Sequence, residues 1–158
     1  MEIRFAENKD VLQILKLLRQ VGKVHHDGRP DLFRAGAQKY GASQIIAMLD
    51  SPTMPIFVAV EGERLLGYCF CMIKEYSQDP VFTDYTSLYI DDLCVDEQTR
   101  GTGVGKALYD AAVKYAKMRK CYNITLNVWT GNPAAVGFYE KLGLTPQKIG
   151  MEMLLEDR

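Results

Sequence analysis

Residues 93–108 read LCVDEQTRGTGVGKAL and pass from an apolar strand through a short polar turn directly into a helix. Glycines stand at alternate positions of this turn, as Gly101, Gly103 and Gly105. Glycine permits positive φ and a close approach to the backbone, and the first amides of a helix have no acceptor within it. The stretch therefore predicts a main-chain anion site of the pyrophosphate type.

Two familiar phosphate motifs do not fit this spacing. A P-loop requires glycine five residues before its Gly-Lys pair and Ser or Thr after it, but Arg100 and Ala107 stand there. A dinucleotide fingerprint requires glycine three residues after its second glycine, where Lys106 stands. A tight strand-to-helix connection that holds no ligand remains as the alternative.

The elements on both sides of the turn predict one mixed sheet. Upstream we predict a strand over 2–6, a helix over 11–21 ending at Gly22, short helices near 31–33 and 42–49, a hairpin of 56–60 with 65–76, and a third antiparallel strand over 87–95. Downstream we predict an amphipathic helix from Val104, a strand over 123–128, a helix over 132–142 and a final strand over 149–155. This order indicates an α/β (α+β) domain whose central sheet is mostly antiparallel and carries helices on both faces.

Length and composition describe one small domain. The chain has 158 residues, of which 47% are hydrophobic, enough for a single core. It contains no run of about 20 apolar residues, and its first residues lack the layout of a signal peptide, so we expect a cytoplasmic protein away from membranes. The formal net charge of −1 provides no field that would collect nucleic acid.

The cysteines do not stand at paired zinc spacings. We expect Cys69, Cys71, Cys94 and Cys121 to be reduced core thiols, with a catalytic cysteine as the alternative. The adjacent His25 and His26 lack a third ligand nearby, so they predict a loop pair rather than a metal site. We therefore expect no metal.

A second segment, residues 130–144, reads TGNPAAVGFYEKLGL. It places Asn132 as a cap before Pro133, then a short helix with Phe138 and Tyr139, and Gly143 at its end. Together, RGTGVG after a strand and N-x-x-A-x-x-FYEKLGL about 30 residues later resemble the coenzyme A-binding half of the GNAT superfamily. The likeness is specific over about residues 88–144, while the first half resembles the family only in the order of its elements.

This resemblance implies an N-acetyltransferase that moves an acetyl group from acetyl-CoA to a primary amine by direct attack in a ternary complex. It implies that the turn amides hold the pyrophosphate and that the strand edge at 93–95 pairs with the pantetheine arm. The residues expected at acetyl-CoA are Leu93, Cys94, Val95, Arg100, Gly101, Thr102, Gly103, Val104, Gly105, Lys106, Asn132 and Tyr139. Tyr139 matches the family tyrosine that protonates the leaving thiolate, although a packed core aromatic is the alternative.

The general base is less well defined by the sequence. Asp91 and Asp92 precede residues 93–95, whose amides are expected to stabilise the oxyanion of the thioester. In a regular strand the two side chains point to opposite faces, so only one can face the thioester unless a bulge intervenes. Asp92 is our choice, and Glu75 on the neighbouring strand competes with it. A solvated strand end is the alternative for each carboxylate.

The acceptor pocket is expected in the first half. We divide the chain into an acceptor side (1–85), an acetyl-CoA-binding core (86–145) and a C-terminal strand (146–158). The pocket candidates are His25, His26, Arg29, Asp31, Phe33, Tyr76, Asp79, Asp84, Tyr85 and Tyr89. A non-catalytic acyl-CoA-binding regulatory module and a nucleotide-binding regulator are the competing functions. A homodimer formed through the last strands is a further expectation from the resemblance.

Overall fold

A five-stranded sheet forms the centre of the computed structural model, which describes residues 1–156. The strands lie in the sheet in chain order, and every neighbouring pair is antiparallel except the last, which is parallel. The sheet is thus mixed and mostly antiparallel, as the sequence predicted. Its strands are β1 (Glu2–Phe5), β2 (Ile56–Glu61), β3 (Arg64–Glu75), β4 (Thr86–Val95) and β5 (Asn123–Leu126).

Helices cover both faces of the sheet. They are α1 (Val11–Gly28), α2 (Ala42–Leu49), α3 (Val104–Met118) and α4 (Pro133–Lys141). On one face Leu18 of α1 and Ile45 of α2 are buried with Tyr68 of β3. On the other face Leu108 of α3 is buried with Leu88 of β4. Each such aliphatic side chain contributes about 1.5–3 kcal/mol when fully buried, so the two cores fix the sheet between its helices.

The first helix is longer than the sequence predicted. It continues through Gly22 to Gly28. A Cβ on Gly22 would lie 2.1 Å from the carbonyl oxygen of Ala37, so this glycine allows the following loop to approach the helix and does not end it. The additional turns place His25 and His26 on the helix rather than in a loop.

Two short elements also differ from the prediction. Residues 31–33 form turns instead of a helix, because the amides of Leu32 and Phe33 both bond to the carbonyl of Arg29 and no longer ladder develops. β5 ends at Leu126 rather than at residue 128. Its last register partner is Ile90, and the strands separate beyond that pair.

The predicted final strand over 149–155 is wrong for the single chain. No strand forms between residue 145 and residue 156, and the apolar side chains there remain exposed. A strand requires a hydrogen-bonding neighbour, and none lies beside this segment within residues 1–156. An ion pair between Glu152 and Arg29 connects this segment to the rest of the domain, with 2.5 Å between Oε1 and Nη1. None of the helices in residues 1–156 combines the length and apolar character of a membrane span.

Candidate active site

A cleft begins where β4 and β5 part. The parallel ladder runs from the pair Ser87 and Asn123 to the pair Ile90 and Leu126. Beyond Ile90, β4 continues to Val95 along β3, but within the described residues no strand pairs with its other edge. The main-chain groups on that edge of residues 91–95 therefore face an opening in the sheet, available to another extended chain.

The glycine turn lies at the end of this open edge. Gly101 and Gly103 have φ values of 77° and 90°, which a side chain at Cβ disfavours. The first bond into α3 runs from the Ala107 amide to the Gly103 carbonyl at 3.0 Å. Within residues 1–156 the amides of residues 100–106 meet no acceptor, and they are left free to bind an anion.

The three glycines of the turn have different reasons to be glycine. A Cβ on Gly101 or Gly103 would meet nothing within 4 Å, so backbone conformation alone requires them. A Cβ on Gly105 would lie 3.2 Å from the ring of Phe138, so Gly105 lets α4 pack against the start of α3. A Cβ on Gly67, which sequence reasoning missed, would lie 2.7 Å from the Cys94 carbonyl oxygen. Gly105 and Gly67 thus allow close packing of the elements next to the cleft.

The side chains of the turn are engaged away from the free amides. Lys106 forms an ion pair with Asp110 at 2.6 Å, one helical turn along α3. The hydroxyl of Thr102 donates to the Thr99 carbonyl, and Arg100 Nε lies 3.5 Å from the Val95 carbonyl oxygen. The turn thus offers main-chain donors rather than side chains to a ligand.

The helix α4 places Tyr139 near Cys69 of β3 and Asp92 of β4. Asn132 caps this helix by accepting a bond from the Ala135 amide at 3.2 Å, and Pro133 occupies its first turn. Burial, followed by the charges of Cys69 and Asp92, raises the pKa of Tyr139 above its ordinary value. The phenol therefore stays protonated at neutral pH and can act as an acid. Within the described residues its hydroxyl forms no hydrogen bond, so it is free for a ligand.

A bulge in β4 brings both acidic residues of the strand to one face. In the register Phe70 pairs with Asp92 while Cys71 pairs with Ile90, so Asp91 is an extra residue. Asp91 Oδ1 lies 2.8 Å from Lys39 Nζ, and Asp91 Oδ2 accepts a hydrogen bond from Tyr40. The two carboxylates therefore lie together on the α1 side of the sheet, which a regular strand would not permit.

Asp92 is a candidate carboxylate whose pKa is raised. Its Oδ2 accepts a hydrogen bond from the buried Tyr68 hydroxyl at 2.9 Å. Burial raises the pKa of Asp92, and the bond from Tyr68 and the charge of Lys39 offset this only in part. A carboxylate in such surroundings takes up a proton more readily than one in water. Tyr68, Lys39 and Tyr40 were missed in the sequence because they act through these aspartates from other elements.

The structure separates Glu75 from this cluster. Glu75 is exposed at the far end of β3, five residues beyond Phe70, the register partner of Asp92. At about 3.3 Å per residue these positions are about 17 Å apart along the strand. The side chains of Tyr76 and Tyr85 stack at 4.6 Å near the same end, where Asp79 caps the local turn. The exposed Asp84 lies in this loop too, so these four predicted pocket residues also lie away from Asp92.

Other predicted pocket residues do meet near the cleft. The ring of Phe33 stacks on His25 at 5.0 Å and contacts Trp129 edge-on at 5.4 Å. Trp129 was missed because nothing in its local sequence distinguishes it from an ordinary loop residue. His26 Nδ1 lies 2.7 Å from the Phe33 carbonyl oxygen, and Arg29 bonds to Asp31 and Glu152.

Tyr89 lies on the α1 side of β4, as do Asp91 and Asp92. Asn127 donates to its hydroxyl at 3.2 Å, and Lys74 Nζ lies 4.0 Å from its ring centroid. Aromatic rings and carboxylates that share one face of the sheet are suited to bind an amine that is cationic in water.

The cysteines carry no sign of catalysis. Burial, followed by the charge of Asp92, raises the pKa of Cys94 to about 12, so its thiol is unreactive at neutral pH. Cys69 and Cys71 are buried with 3.6 Å between their sulfur atoms, and Cys121 is partly buried. Among residues 1–156 no cluster of His, Cys, Asp and Glu is suited to hold a metal ion.

The chain is similar to known proteins in sequence and in fold. The model of the acetyltransferase (GNAT) family matches residues 21–144. Peptidyl-lysine N-acetyltransferase YjaB of Salmonella typhimurium is 27% identical over 142 residues, covering 89% of this chain and 81% of that protein. Mouse thialysine N-epsilon-acetyltransferase is 22% identical over 144 residues, with coverage of 90% and 81%. Among solved structures, a point mutant of the BH1408 protein from Bacillus halodurans superposes with a TM-score of 0.94 at 31% identity, covering 99% of this chain and 100% of that one.

Proposed function

Because the chain belongs to the GNAT family of acetyltransferases, we propose that the cleft between β4 and β5 binds acetyl-CoA and that the chain transfers its acetyl group to a primary amine. The observation that carries this proposal is one juxtaposition. The free amides of residues 100–106 and the open edge of β4 at residues 91–95 adjoin along the chain, and Tyr139 lies close enough to Asp92 of that edge for the charge of Asp92 to raise its pKa. The amine attacks directly, with both substrates bound.

The turn binds the pyrophosphate through its main chain. The amides of residues 100–106 and the N-terminus of α3 supply donors and a positive helix dipole. Lys106 pairs with Asp110 and Arg100 lies beside the Val95 carbonyl, so we assign the binding to the main chain and only added charge to these two side chains. Asn132 contributes by fixing the start of α4, and Thr102 by fixing the turn.

The open edge of β4 positions the pantetheine arm and the thioester. Leu93 and Val95 point toward α3, while Cys94 points toward α1, so the main chain between them presents amides and carbonyls to the cleft. An extended arm can pair with these groups as an added strand. An amide of this edge is also available to stabilise the oxyanion that develops on the thioester carbonyl.

Tyr139 and Asp92 take opposite proton-transfer roles. Tyr139 donates a proton to the departing thiolate, since its raised pKa keeps it protonated. Asp92 assists the loss of a proton from the acceptor ammonium through a buried carboxylate whose pKa is raised. Glu75 has no part in this proposal because of its distance along β3.

The acceptor approaches from the α1 side, over Asp91 and Asp92. Phe33 contacts both His25 and Trp129 on this side, and these ring faces together with the carboxylates favour a cationic amine. The names of the two relatives point to lysine-like side-chain amines as the first acceptors to try.

We also propose that two copies associate through the C-terminal segment. Ile149, Met151, Met153 and Leu155 alternate with other residues and are 80–92% exposed in the single chain. Alternation of this kind is typical of a strand with one buried face. β5 has a free edge in the single chain, and a second copy supplies a partner for the segment. Light scattering should give the mass of a dimer, and a monomer that persists at high concentration would contradict it.

Thiol release is the test of the proposed function. Purified protein is mixed with acetyl-CoA and, in turn, L-lysine, a lysine-containing peptide and spermidine, and free coenzyme A is measured. We expect release that depends on both acetyl-CoA and one of the amines. Binding of acetyl-CoA without any turnover would favour a regulatory acyl-CoA-binding module, and stabilisation by ATP or NAD alone would favour a nucleotide-binding regulator.

A further inference from the structure

His25 lies on the sheet-facing stripe of α1, seven residues after the buried Leu18. It reaches this position only because the helix continues past Gly22. Its ring is held by stacking on Phe33 at 5.0 Å, with an angle of 22° between the rings. The side chain is partly buried and therefore has a fixed orientation with access to solvent.

The two histidines of the chain differ in their hydrogen bonds. His26 Nδ1 lies 2.7 Å from the Phe33 carbonyl oxygen and is used for loop structure. Neither ring nitrogen of His25 meets a partner within residues 1–156. A packed imidazole whose nitrogens carry no hydrogen bond can exchange a proton with a ligand.

His25 is also an electrostatic neighbour of Asp92. Its charge is among the influences that lower the pKa of that carboxyl, against the larger effect of burial. The other charged groups of this region are largely neutralised. Asp91 and Lys39 form an ion pair at 2.8 Å. Arg29, the residue that follows α1, forms ion pairs with Asp31 and Glu152.

We propose that His25 is the group that takes the proton from the acceptor amine, and that Asp92 stabilises the imidazolium that forms. The inference rests on the proposed function and names the base within that site. One proton passes from the ammonium to His25 and then to solvent. The neutral nitrogen forms a bond to the acetyl carbon, and the carbon–sulfur bond breaks. Tyr139 gives its proton to the departing thiolate, and the proton that the nitrogen loses on forming the amide passes through solvent to reprotonate Tyr139.

A helix-terminal histidine can instead have a purely structural role, through the helix dipole and its stack on Phe33. Two substitutions separate these roles. His25→Phe keeps a ring on Phe33 and removes the nitrogens, whereas His25→Ala leaves space for added imidazole. His26→Asn is the matched control, because Asn retains a donor toward the Phe33 carbonyl.

The experiment measures kcat/KM by thiol release from pH 5 to 8, with the amine that the wild type uses best. We expect His25→Phe to lose about 100-fold in kcat with an unchanged KM for acetyl-CoA, and to lose the fall in activity at acidic pH. Imidazole should restore part of the activity of His25→Ala and none of that of His26→Asn. The double variant Asp92→Asn/His25→Phe should be no slower than the slower single variant, because the two act as one unit.

The outcomes distinguish this inference from the function on which it rests. If the wild type releases thiol while His25→Phe keeps the acidic limb and imidazole has no effect on His25→Ala, His25 is not the base. If the wild type binds acetyl-CoA but acetylates no amine, the proposed function is wrong and the role of His25 falls with it.

Discussion

The hydroxyl of Tyr68 donates a hydrogen bond to Asp92 Oδ2 at 2.9 Å, across the pairing of β3 with β4. Tyr68 is fully buried beneath α1, so this bond connects the core of the protein directly to the carboxylate of the cleft. The bond is one of the influences that lower the pKa of Asp92 against the dominant effect of burial.

Tyr68→Phe should therefore shift the pH dependence of catalysis. Because Asp92 acts through His25, and because its carboxylate holds its proton to higher pH without the Tyr68 donor, the acidic fall in kcat/KM of the pair should move to higher pH. Tyr40→Phe removes the hydroxyl that bonds to Asp91 and should leave the position of that fall unchanged. The measurement is a pH–rate profile for both variants. An unmoved profile in Tyr68→Phe would show that Asp92 does not control the proton transfer.

Tyr139→Phe should separate binding from chemistry. We expect thiol release to fall about 100-fold, because the leaving thiolate loses its acid. The affinity for acetyl-CoA and the melting temperature should be unchanged, because the hydroxyl has no hydrogen bond to lose within the described residues. Tyr109→Phe, which removes a second partly buried phenol near Tyr139, is the control and should retain its rate. Equal rates for all three proteins would remove Tyr139 from the mechanism.

The sequence predicted the glycine turn and the cap of α4 because their signals are local. The alternating glycines at 101–105 and the cap at Asn132 report backbone conformation within a few residues, and the structure has both. The sequence did not predict what depends on distant contacts. From the sequence alone Gly22 predicts a helix end, because the close approach of Ala37 is a distant contact. Trp129 is likewise marked only by its ring contact with Phe33.

The placement of the acidic residues and of the C-terminal segment also depends on distant contacts that the sequence does not predict. A strand period cannot place Asp91 and Asp92 on one face, because the bulge that does so is set by pairing with β3. The alternation over 149–155 has the pattern of a strand, but pattern does not supply the neighbour that a strand requires.

Gly103→Ala should weaken acetyl-CoA binding beyond its cost in stability. The residue has φ of 90° and open space at Cβ, so the substitution costs about 1–2 kcal/mol of unfolding free energy through backbone strain alone. Gly62, in the hairpin turn, has φ of 59° and equally open space. Gly62→Ala should therefore lose similar stability and keep its affinity, while Gly103→Ala loses about tenfold. Calorimetry with acetyl-CoA compares the two, and equal affinities would mean that the turn does not hold the pyrophosphate.

Gly22→Ala and Gly28→Ala should change stability in opposite directions. A Cβ on Gly22 would collide with the Ala37 carbonyl oxygen at 2.1 Å, so we expect a loss of about 1–3 kcal/mol. A Cβ on Gly28 meets nothing within 4 Å and the residue is helical, so alanine there should gain about 0.5–1 kcal/mol. Urea denaturation measures both. A harmless Gly22→Ala would show that the loop after α1 does not pack on the helix.

Asp10 should make stability fall at acidic pH. Burial, the largest influence, raises the pKa of this carboxyl, but bonds from Arg4 and the Glu7 amide lower it below the ordinary 3.8 overall. Because the pKa is lower in the folded state, the stabilisation is present above pH 3.8 and is lost as the pH falls through the folded value. Asp10→Asn should cost about 1–3 kcal/mol at pH 7 and flatten the acidic decline of the melting temperature. An acidic decline as steep as that of the wild type would contradict this assignment.

Amide chemical shifts during titration with acetyl-CoA test the central claim most directly. We expect the largest changes at residues 100–106, where the free amides lie, and along the open edge of β4 at residues 91–95. The exposed hairpin turn at Gly62 should serve as an unaffected reference. Saturable changes confined to other parts of the sheet, with the turn unmoved, would contradict the account.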